Sequence, residues 1–363
     1  MSRIGIVGAG QLGMMLGEAA EAVEAECRFL DPGDNPPSAR VGEVLKGDYD
    51  DLDKLGELAD WADVITYEFE NVPVDAVATL TDRCPVYPPP LALRKAQDRL
   101  EEKRLFEALE IPTSPFRNIE SQEDLDDAVR ELGLPLVFKT RRFGYDGKGQ
   151  AVVRDEAGLE GLWSSLGEVP LIAEKFVDFD REVSIIGSRS VSGSVVHYPL
   201  SENTHRGGIL RVAVAPDNDA RLHALATDYH QCMLEELGYV GTLTLELFVV
   251  GDTLIANEFA PRVHNSGHWS IEGAPCSQFE NHLRAILDLP LGDPVPPGHA
   301  AMINIIGKMP RGLDAADLPE FQLHDYGKSE RPGRKLAHLT LVRANRDVLN
   351  ADLTVLHQLV DSD

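Results

Sequence analysis

Thr242-Leu-Thr-Leu-Glu246-Leu-Phe-Val-Val-Gly251-Asp252-Thr-Leu-Ile-Ala-Asn257-Glu258-Phe259 is the stretch on which the fold turns. Two apolar runs meet at a Gly-Asp dipeptide, which predicts a long hairpin over Tyr239 to Phe259. Each run carries one glutamate, and a carboxylate in such a strand is costly unless paired or bound to a cation. Side chains alternate along a strand, so a two-residue turn at Gly251-Asp252 would set Glu246 and Glu258 on opposite faces. A three- or five-residue loop centred on Asp252 sets them directly across from each other, and this odd loop is the expectation. Two hard oxygen ligands beside polyphosphate oxygens describe a Mg²⁺ site.

Upstream, Leu134-Pro-Leu-Val-Phe-Lys139 is a buried strand ending in lysine, followed by Arg141-Arg142 and by Gly144-Tyr145-Asp146-Gly147-Lys148-Gly149-Gln150. Three glycines in six residues make a loop whose N–H groups can fold over phosphates, with Lys139 and Lys148 as point charges. It is not the GxxxxGK[ST] loop, because neither Ser nor Thr follows the lysine and no helix begins there. Leu171-Ile-Ala-Glu174-Lys175-Phe176-Val177 is a further strand, whose extended backbone can pair with an adenine edge, and Glu182 after it can accept from ribose hydroxyls. Downstream, Ala260-Pro-Arg262-Val-His264-Asn265-Ser-Gly-His268-Trp269 places Arg, His and Asn straight after the second glutamate. His264 and His268 are four apart, but Pro261 and Gly267 make this a loop, so zinc is set aside in favour of a small-anion site.

The chain opens with a strand, Arg3-Ile-Gly-Ile-Val, then Gly8-Ala-Gly10-Gln11-Leu12-Gly13, then a helix to about Ala25, with Asp31 some 20 residues on. This is the dinucleotide-binding pattern. The physics asks only for an anion at a helix start, so a substrate phosphate satisfies it equally, and the glycines also permit close helix–strand packing. Strands at Cys27 to Asp31, Asp63 to Glu68 and Pro85 to Tyr87 alternate with helices and predict a parallel sheet. A charged helix is predicted over Ala92 to Leu109, and another over Asp124 to Leu132 capped by Ser121. A helix at Gln278 to Leu287, short strands after Ala301 and Lys335, and a final helix complete the pattern. Pro88-Pro-Pro90 and the prolines of 290–297 mark boundaries. The divisions expected are 1–95, 96–296 with a lid at about 115–180, and 297–363.

A chain of 363 residues suits two or three domains, and 43% hydrophobic with 26% charged residues excludes wholesale disorder. The net charge of −26 excludes nucleic acid and anionic membrane surfaces as partners. Arginine outnumbers lysine 24 to 10, which reads either as salt adaptation or as codon bias with an acidic solvated surface. Neither a secretory leader nor a membrane helix is predicted, and Cys27, Cys84, Cys232 and Cys276 include no CxxC pair. A cytoplasmic protein with reduced thiols is the expectation.

With Lys139, the glycine loop, Glu174, Glu182, Glu246 and Glu258 in this order, the chain resembles the ATP-grasp superfamily. The runs 8–13, 144–150 and 260–269, with Arg331-Pro-Gly-Arg334-Lys335, resemble the ATP-dependent 5-(carboxyamino)imidazole ribonucleotide synthetases from Met1 to about Val342. The resemblance implies an α/β and α+β architecture: a Rossmann-like parallel-sheet domain, a central ATP-grasp fold with a mobile lid, and a small β-rich C-terminal domain. It implies a ligase, dimeric and cytoplasmic, that carboxylates 5-aminoimidazole ribonucleotide with bicarbonate in purine synthesis, through carboxyphosphate, with ATP and Mg²⁺. By the same likeness Arg99, Lys139, Gly144 to Gln150, Glu174, Lys175, Phe176, Val177, Glu182, His205, Asn257 and Glu258 line the ATP, and Glu246 and Glu258 hold the metal. Arg262, His264, Asn265 and Tyr145 serve catalysis at bicarbonate and the imidazole. Lys328 and Arg334 grip the ribonucleotide phosphate, joined by Gly10, Gln11, Leu12 and Glu68. Many ATP-grasp enzymes carry an asparagine ligand two residues after the second glutamate, where this chain has Ala260.

Three rivals remain at this level, one of them a non-catalytic nucleotide sensor. Another ATP-grasp ligase, acting on formate or an amino acid, keeps every motif. An NAD(P)-dependent oxidoreductase explains the Gly8–Gly13 fingerprint but leaves Lys139, the glycine loop and the paired glutamates without a task.

Overall fold

The computed structural model describes residues 1–144 and 149–361. Its first elements alternate as the sequence predicts: β1 (Ser2–Val7), α1 (Gln11–Ala19), β2 (Ala25–Asp31), β3 (Glu43–Lys46), α2 (Leu52–Trp61), β4 (Val64–Tyr67) and α3 (Val74–Ala78). The four strands are parallel in the order β3-β2-β1-β4. Ile4, Ile6 and Val7 of the central β1 are fully buried, because helices cover both faces of such a sheet. The first helix is shorter than expected. Residues 20–23 tighten into a 3₁₀ turn and Glu24, at φ 52°, swings the chain into β2. Pro85 to Tyr87 contributes one bridge, Val86 to Ile65, rather than a strand.

Two helices, α4 (Pro90–Ala96) and α5 (Arg99–Ala108), replace the single one predicted over Ala92 to Leu109. The break is at Asp98, whose extended backbone and carboxylate cap α5 through the Leu100 N–H at 3.0 Å. The same carboxylate accepts from Arg141 Nε (2.9 Å) and Nη2 (2.5 Å), a bidentate tertiary pair that helix propensity cannot anticipate.

A second, antiparallel sheet comprises β5 (Phe116–Ile119), β6 (Leu136–Thr140), β7 (Gln150–Val153) and β8 (Leu171–Lys175), in the order β5-β8-β6-β7. It has its own core, with Leu125 of α6 (Gln122–Leu132) and Leu162 of α7 (Leu162–Ser165) packed around Phe138 and Leu171. Helix α6 starts at the predicted cap, Ser121 Oγ accepting from the Asp124 N–H at 3.2 Å.

The third sheet has nine strands: β9 (Arg181–Arg189), β10 (Val195–His197), β11 (Ser201–Arg206), β12 (Ile209–Ala215), β13 (Gly241–Val250), β14 (Thr253–Ala260), β15 (His299–Ile306), β16 (Gln322–Asp325) and β17 (Lys335–Arg343). Its order is β14-β13-β9-β11-β12-β15-β17-β16, with β10 beside β9. The C-terminal strands thus extend the central sheet through the β12–β15 pairing. Helix α8 (Ala220–Glu236) sends Met233 and Leu234 into the core under β13. After the short α9 (Ser270–Gly273), α10 (Gln278–Ile286) ties this sheet to the first region, Phe279 and Leu283 sharing a core with Ile4 and Met15. Helix α11 (Arg346–Asp361) buries Leu349 and Leu356 against the C-terminal strands.

The hairpin corrects the expected odd loop. Val250 pairs with Thr253, so the turn is the two residues Gly251-Asp252, with Gly251 left-handed at φ 55°. Glu246 nevertheless faces Glu258. A β-bulge lies between the Leu247–Ala256 and Glu246–Glu258 pairs, and the inserted Asn257 restores the parity that the tight turn removes.

Among the described residues all four cysteines are free thiols, and no helix is long and apolar enough to cross a membrane.

Candidate active site

A cleft of about 480 Å³ is lined by the second and third sheets together. The second sheet contributes Lys139, Gln150 and Glu174, and the chain leaving it contributes Lys175, Phe176 and Val177. From the third sheet come Glu182, His205, Glu246, Asn257 and Glu258, and from the loop after β14 come Arg262, His264 and Asn265. Arg99 of α5 and Gly144 complete the set. Sixteen residues singled out in sequence over 167 positions therefore meet at one opening. Gly149 is not on the wall; its carbonyl accepts from the Thr140 N–H at 2.8 Å. Tyr145, Asp146, Gly147 and Lys148 lie outside the described residues.

Charge is concentrated here. The Glu174 carboxylate sits between Lys139 Nζ (2.9 Å) and Lys103 Nζ (3.2 Å), with Ser114 Oγ at 3.2 Å. Burial opposes its ionisation, but the two ammonium groups outweigh burial and hold it well below the usual carboxylate range. Glu246 Oε1 lies 3.1 Å from His264 Nε2, and Glu258 Oε2 accepts from Arg99 Nη1 at 2.9 Å. Burial, and next the Glu258 charge, push Glu246 up to about 7. Glu258 stays below its usual range because Arg99 and Lys139 outweigh its desolvation. Glu182 Oε2 is 2.7 Å from His205 Nδ1, and one ligand atom each of Glu182, His205 and Glu246 fall within 4.8 Å of one another. Burial works against a charged His205, but the Glu182 contact and the nearby Glu246 prevail and raise its pKa.

The loop after β14 is held from below. The Ser266 N–H donates to His264 Nδ1 at 3.3 Å, which leaves Nε2 to carry the proton toward Glu246. Burial, then Arg262, keep this imidazole neutral by lowering its pKa well below the ordinary value. Arg262 Nη2 pairs with Glu70 Oε2 at 2.8 Å, and Asn265 exchanges two amide hydrogen bonds with Asn304 at 3.2 and 2.7 Å.

A second cavity, about 760 Å³, is lined by Gln11, Lys328, Arg331, Arg334 and Lys335 among others. Lys328 contacts Gln11, and Arg334 Nη1 donates to Ser329 O (3.0 Å) and Oγ (2.8 Å). Lys335 lines both cavities, so the two openings adjoin.

The glycine fingerprint has a different tenant from the one its pattern suggests. Glu68 accepts from the Gly10 N–H (2.8 Å) and the Gly13 N–H (3.2 Å), and Asp31 from the Ala9 N–H (3.0 Å). The anion at this helix start is the chain's own carboxylate, and a Cβ on Gly8 or Gly10 would stand 2.7–2.8 Å from Glu68. Leu12 is buried in the adjoining core and, like Gly10 and Glu68, does not line the second cavity.

Sequence reading missed several participants. Glu102 and Lys103 are buried under the cleft, Glu70 holds Arg262, and Phe248 stacks on Phe179 at 4.6 Å and 8°. Nothing in the pattern of a charged helix distinguishes these two from its solvated residues. Arg331 and Lys335 stand in a run already singled out, where their charge was the available signal.

Family models match almost all of the chain: a ribonucleotide synthetase preATP-grasp domain over residues 1–97, an ATP-grasp domain over 104–279, and a phosphoribosylaminoimidazole carboxylase C-terminal domain over 300–352. The N5-carboxyaminoimidazole ribonucleotide synthase of Pseudomonas aeruginosa is 47% identical over 360 residues, covering 99% of this chain and all of that protein. The chain belongs to the N5-carboxyaminoimidazole ribonucleotide synthase family. The family's Bacillus subtilis member is 36% identical, with 97% of this chain and 94% of that protein covered. The solved synthetase from Thermus thermophilus superposes with a TM-score of 0.94 at 48% identity, covering 99% and 98% of the two chains. The Aspergillus clavatus synthase, solved with ADP and 5-aminoimidazole ribonucleotide, gives 0.93 at 28% identity, covering 100% and 99%. The central region is thus an ATP-grasp domain, preceded by a parallel-sheet domain and followed by a small C-terminal one.

Proposed function

We propose that this chain uses ATP and bicarbonate to carboxylate the amine of 5-aminoimidazole ribonucleotide, giving 5-(carboxyamino)imidazole ribonucleotide, ADP and phosphate. Family membership over essentially the full length makes it an ATP-dependent carbon–nitrogen ligase of purine synthesis. The observation that carries the division of labour is Lys335, which lines both the carboxylate-rich cleft and the cationic cavity. A nucleotide in the first and a sugar phosphate in the second would bring their reactive ends together there.

In this reading Arg99, Lys139, Gly144 and Gln150 face the nucleotide phosphates, while Lys175, Phe176, Val177, Glu182 and His205 face its base and ribose. The donor set fits Mg²⁺. Glu246 and Glu258 offer hard oxygens from directly opposed positions, and the Glu258 charge is, after burial, the next largest cause of the upward push on Glu246. When bound, Mg²⁺ neutralises charge on the transferring phosphoryl oxygens. The chain's own part is placement: Lys139 is aimed by Glu174, and Arg262, His264 and Asn265 are fixed by Glu70, Ser266 and Asn304. Carboxyphosphate hydrolyses readily, so the second sheet serves as a water-excluding lid over the cleft.

Phosphate release from ATP measured with and without bicarbonate and 5-aminoimidazole ribonucleotide tests the assignment. Release that needs both is expected. Release driven by formate or an amino acid would transfer the chain to another ligase reaction, and an NAD(P)H absorbance change would replace it altogether. Arg334→Ala is expected to raise the ribonucleotide KM by about 10- to 100-fold with little change in kcat, since a phosphate contact is made in ground and transition states alike. An unchanged KM with a lower kcat would place Arg334 elsewhere.

A further inference from the structure

The bulge at Asn257 is gripped from outside the sheet by two consecutive residues of α5. Strand β14 is one edge of the nine-stranded sheet, so the backbone groups on its outer side need partners from elsewhere. Lys103 Nζ donates to Asn257 O (2.8 Å) and Ala256 O (3.2 Å), and the Ala256 N–H donates to Pro112 O at 2.7 Å. Glu102 Oε1 accepts from the Phe259 N–H at 2.7 Å. Both side chains are almost wholly buried, at 1% and 2% exposure.

Parity makes this grip informative. In a regular strand the outward-facing backbone groups recur every second residue, so outward groups at Ala256 would be followed by those at Glu258 and Ala260. Glu102 takes Phe259 instead, three residues from Ala256. The two grips are met together only if one extra residue is inserted between them, and that residue is Asn257. Without it Glu258 would face away from Glu246.

We infer that Lys103 and Glu102 are positioning residues for the metal site: they set the bulge that holds Glu258 opposite Glu246. The inference rests on the proposed metal role of that pair. Lys103 also contacts Glu174 at 3.2 Å and Thr113 Oγ1 at 3.0 Å, so the same ammonium links the bulge to the residue that aims Lys139.

The test uses the full-length enzyme with Lys103→Met, Glu102→Leu and Glu102→Gln, the last keeping an acceptor for the Phe259 N–H. Mn²⁺ binding in the presence of ADP, read by electron paramagnetic resonance, is expected to weaken about 10- to 100-fold in K103M and E102L, and much less in E102Q. The Mg²⁺ concentration for half-maximal phosphate release should rise in step, while the ribonucleotide KM stays within about twofold. Amide exchange should quicken over 254–260 and not in the first sheet. Wild-type Mn²⁺ affinity in folded K103M and E102L would overturn the inference, as would equal shifts in E102L and E102Q should K103M fail to fold. If instead the unmodified enzyme binds Mn²⁺–ADP no better than ADP alone, the metal reading itself fails, a result distinct from either.

Discussion

Glu258→Gln is expected to lower ATP-dependent phosphate release on the order of 10³-fold, because losing a metal ligand forfeits several kcal/mol of charge stabilisation in phosphoryl transfer. The substitution is nearly isosteric, and the carboxylate it replaces faces the cleft with 40% of its side chain exposed, so the fold should survive. It also removes the like charge that helps to raise Glu246, which should then titrate nearer the ordinary carboxylate value. Circular dichroism and a thermal melt report the fold, and a phosphate assay over a Mg²⁺ series reports the chemistry. Wild-type turnover restored by excess Mg²⁺ would show that Glu258 is not a ligand; loss of turnover with loss of fold would show a structural role only.

Lys139→Met should cost about 10²- to 10³-fold in kcat/KM for ATP, the usual loss when one preorganised cationic contact to a transferring phosphoryl group is removed. Stability should change little, for a reason visible in the site. Glu174 is held between two ammonium groups, and Lys103 remains beside its Oε2 at 3.2 Å when Lys139 is gone. Removing one cation of a shared pair leaves the buried carboxylate compensated, whereas removing its last partner would not. Steady-state kinetics with ATP varied, beside a urea melt, separates the outcomes. Unchanged ATP kinetics in a folded K139M variant would remove Lys139 from the nucleotide site.

Much of the site was legible because its chemistry is written in residue types that apolar strands tolerate poorly. Glu246, Glu258 and Lys139 stand out against leucine and valine, and burial is expensive enough that each implies a partner. The parallel sheet of the first region and the Ser121 cap were equally legible, being local patterns of period and capping. Glu102 and Lys103 were not, since a charged helix gives no sign of which charges are buried. The split between α4 and α5 escaped for a related reason, Asp98 being claimed by Arg141 43 positions away.

The hairpin shows where local reading stops. Its two carboxylates do face each other, as expected from the sequence, but through a bulge rather than an odd loop. The turn obeys the local preference of Gly-Asp, and the correction is made five residues further on, at Asn257, by side chains of α5. The glycine fingerprint is the converse. Its pattern specified an anion at a helix start and could not say whose, until folding brought Glu68, 58 residues away, to the Gly10 N–H. Composition, alternation and motif order thus determined the class of fold, the family and most of the residues that line the cleft. Register, the occupant of the helix start and the meeting of two cavities at Lys335 belong to the tertiary structure alone, because each depends on contacts between residues whose separation along the chain carries no local signal.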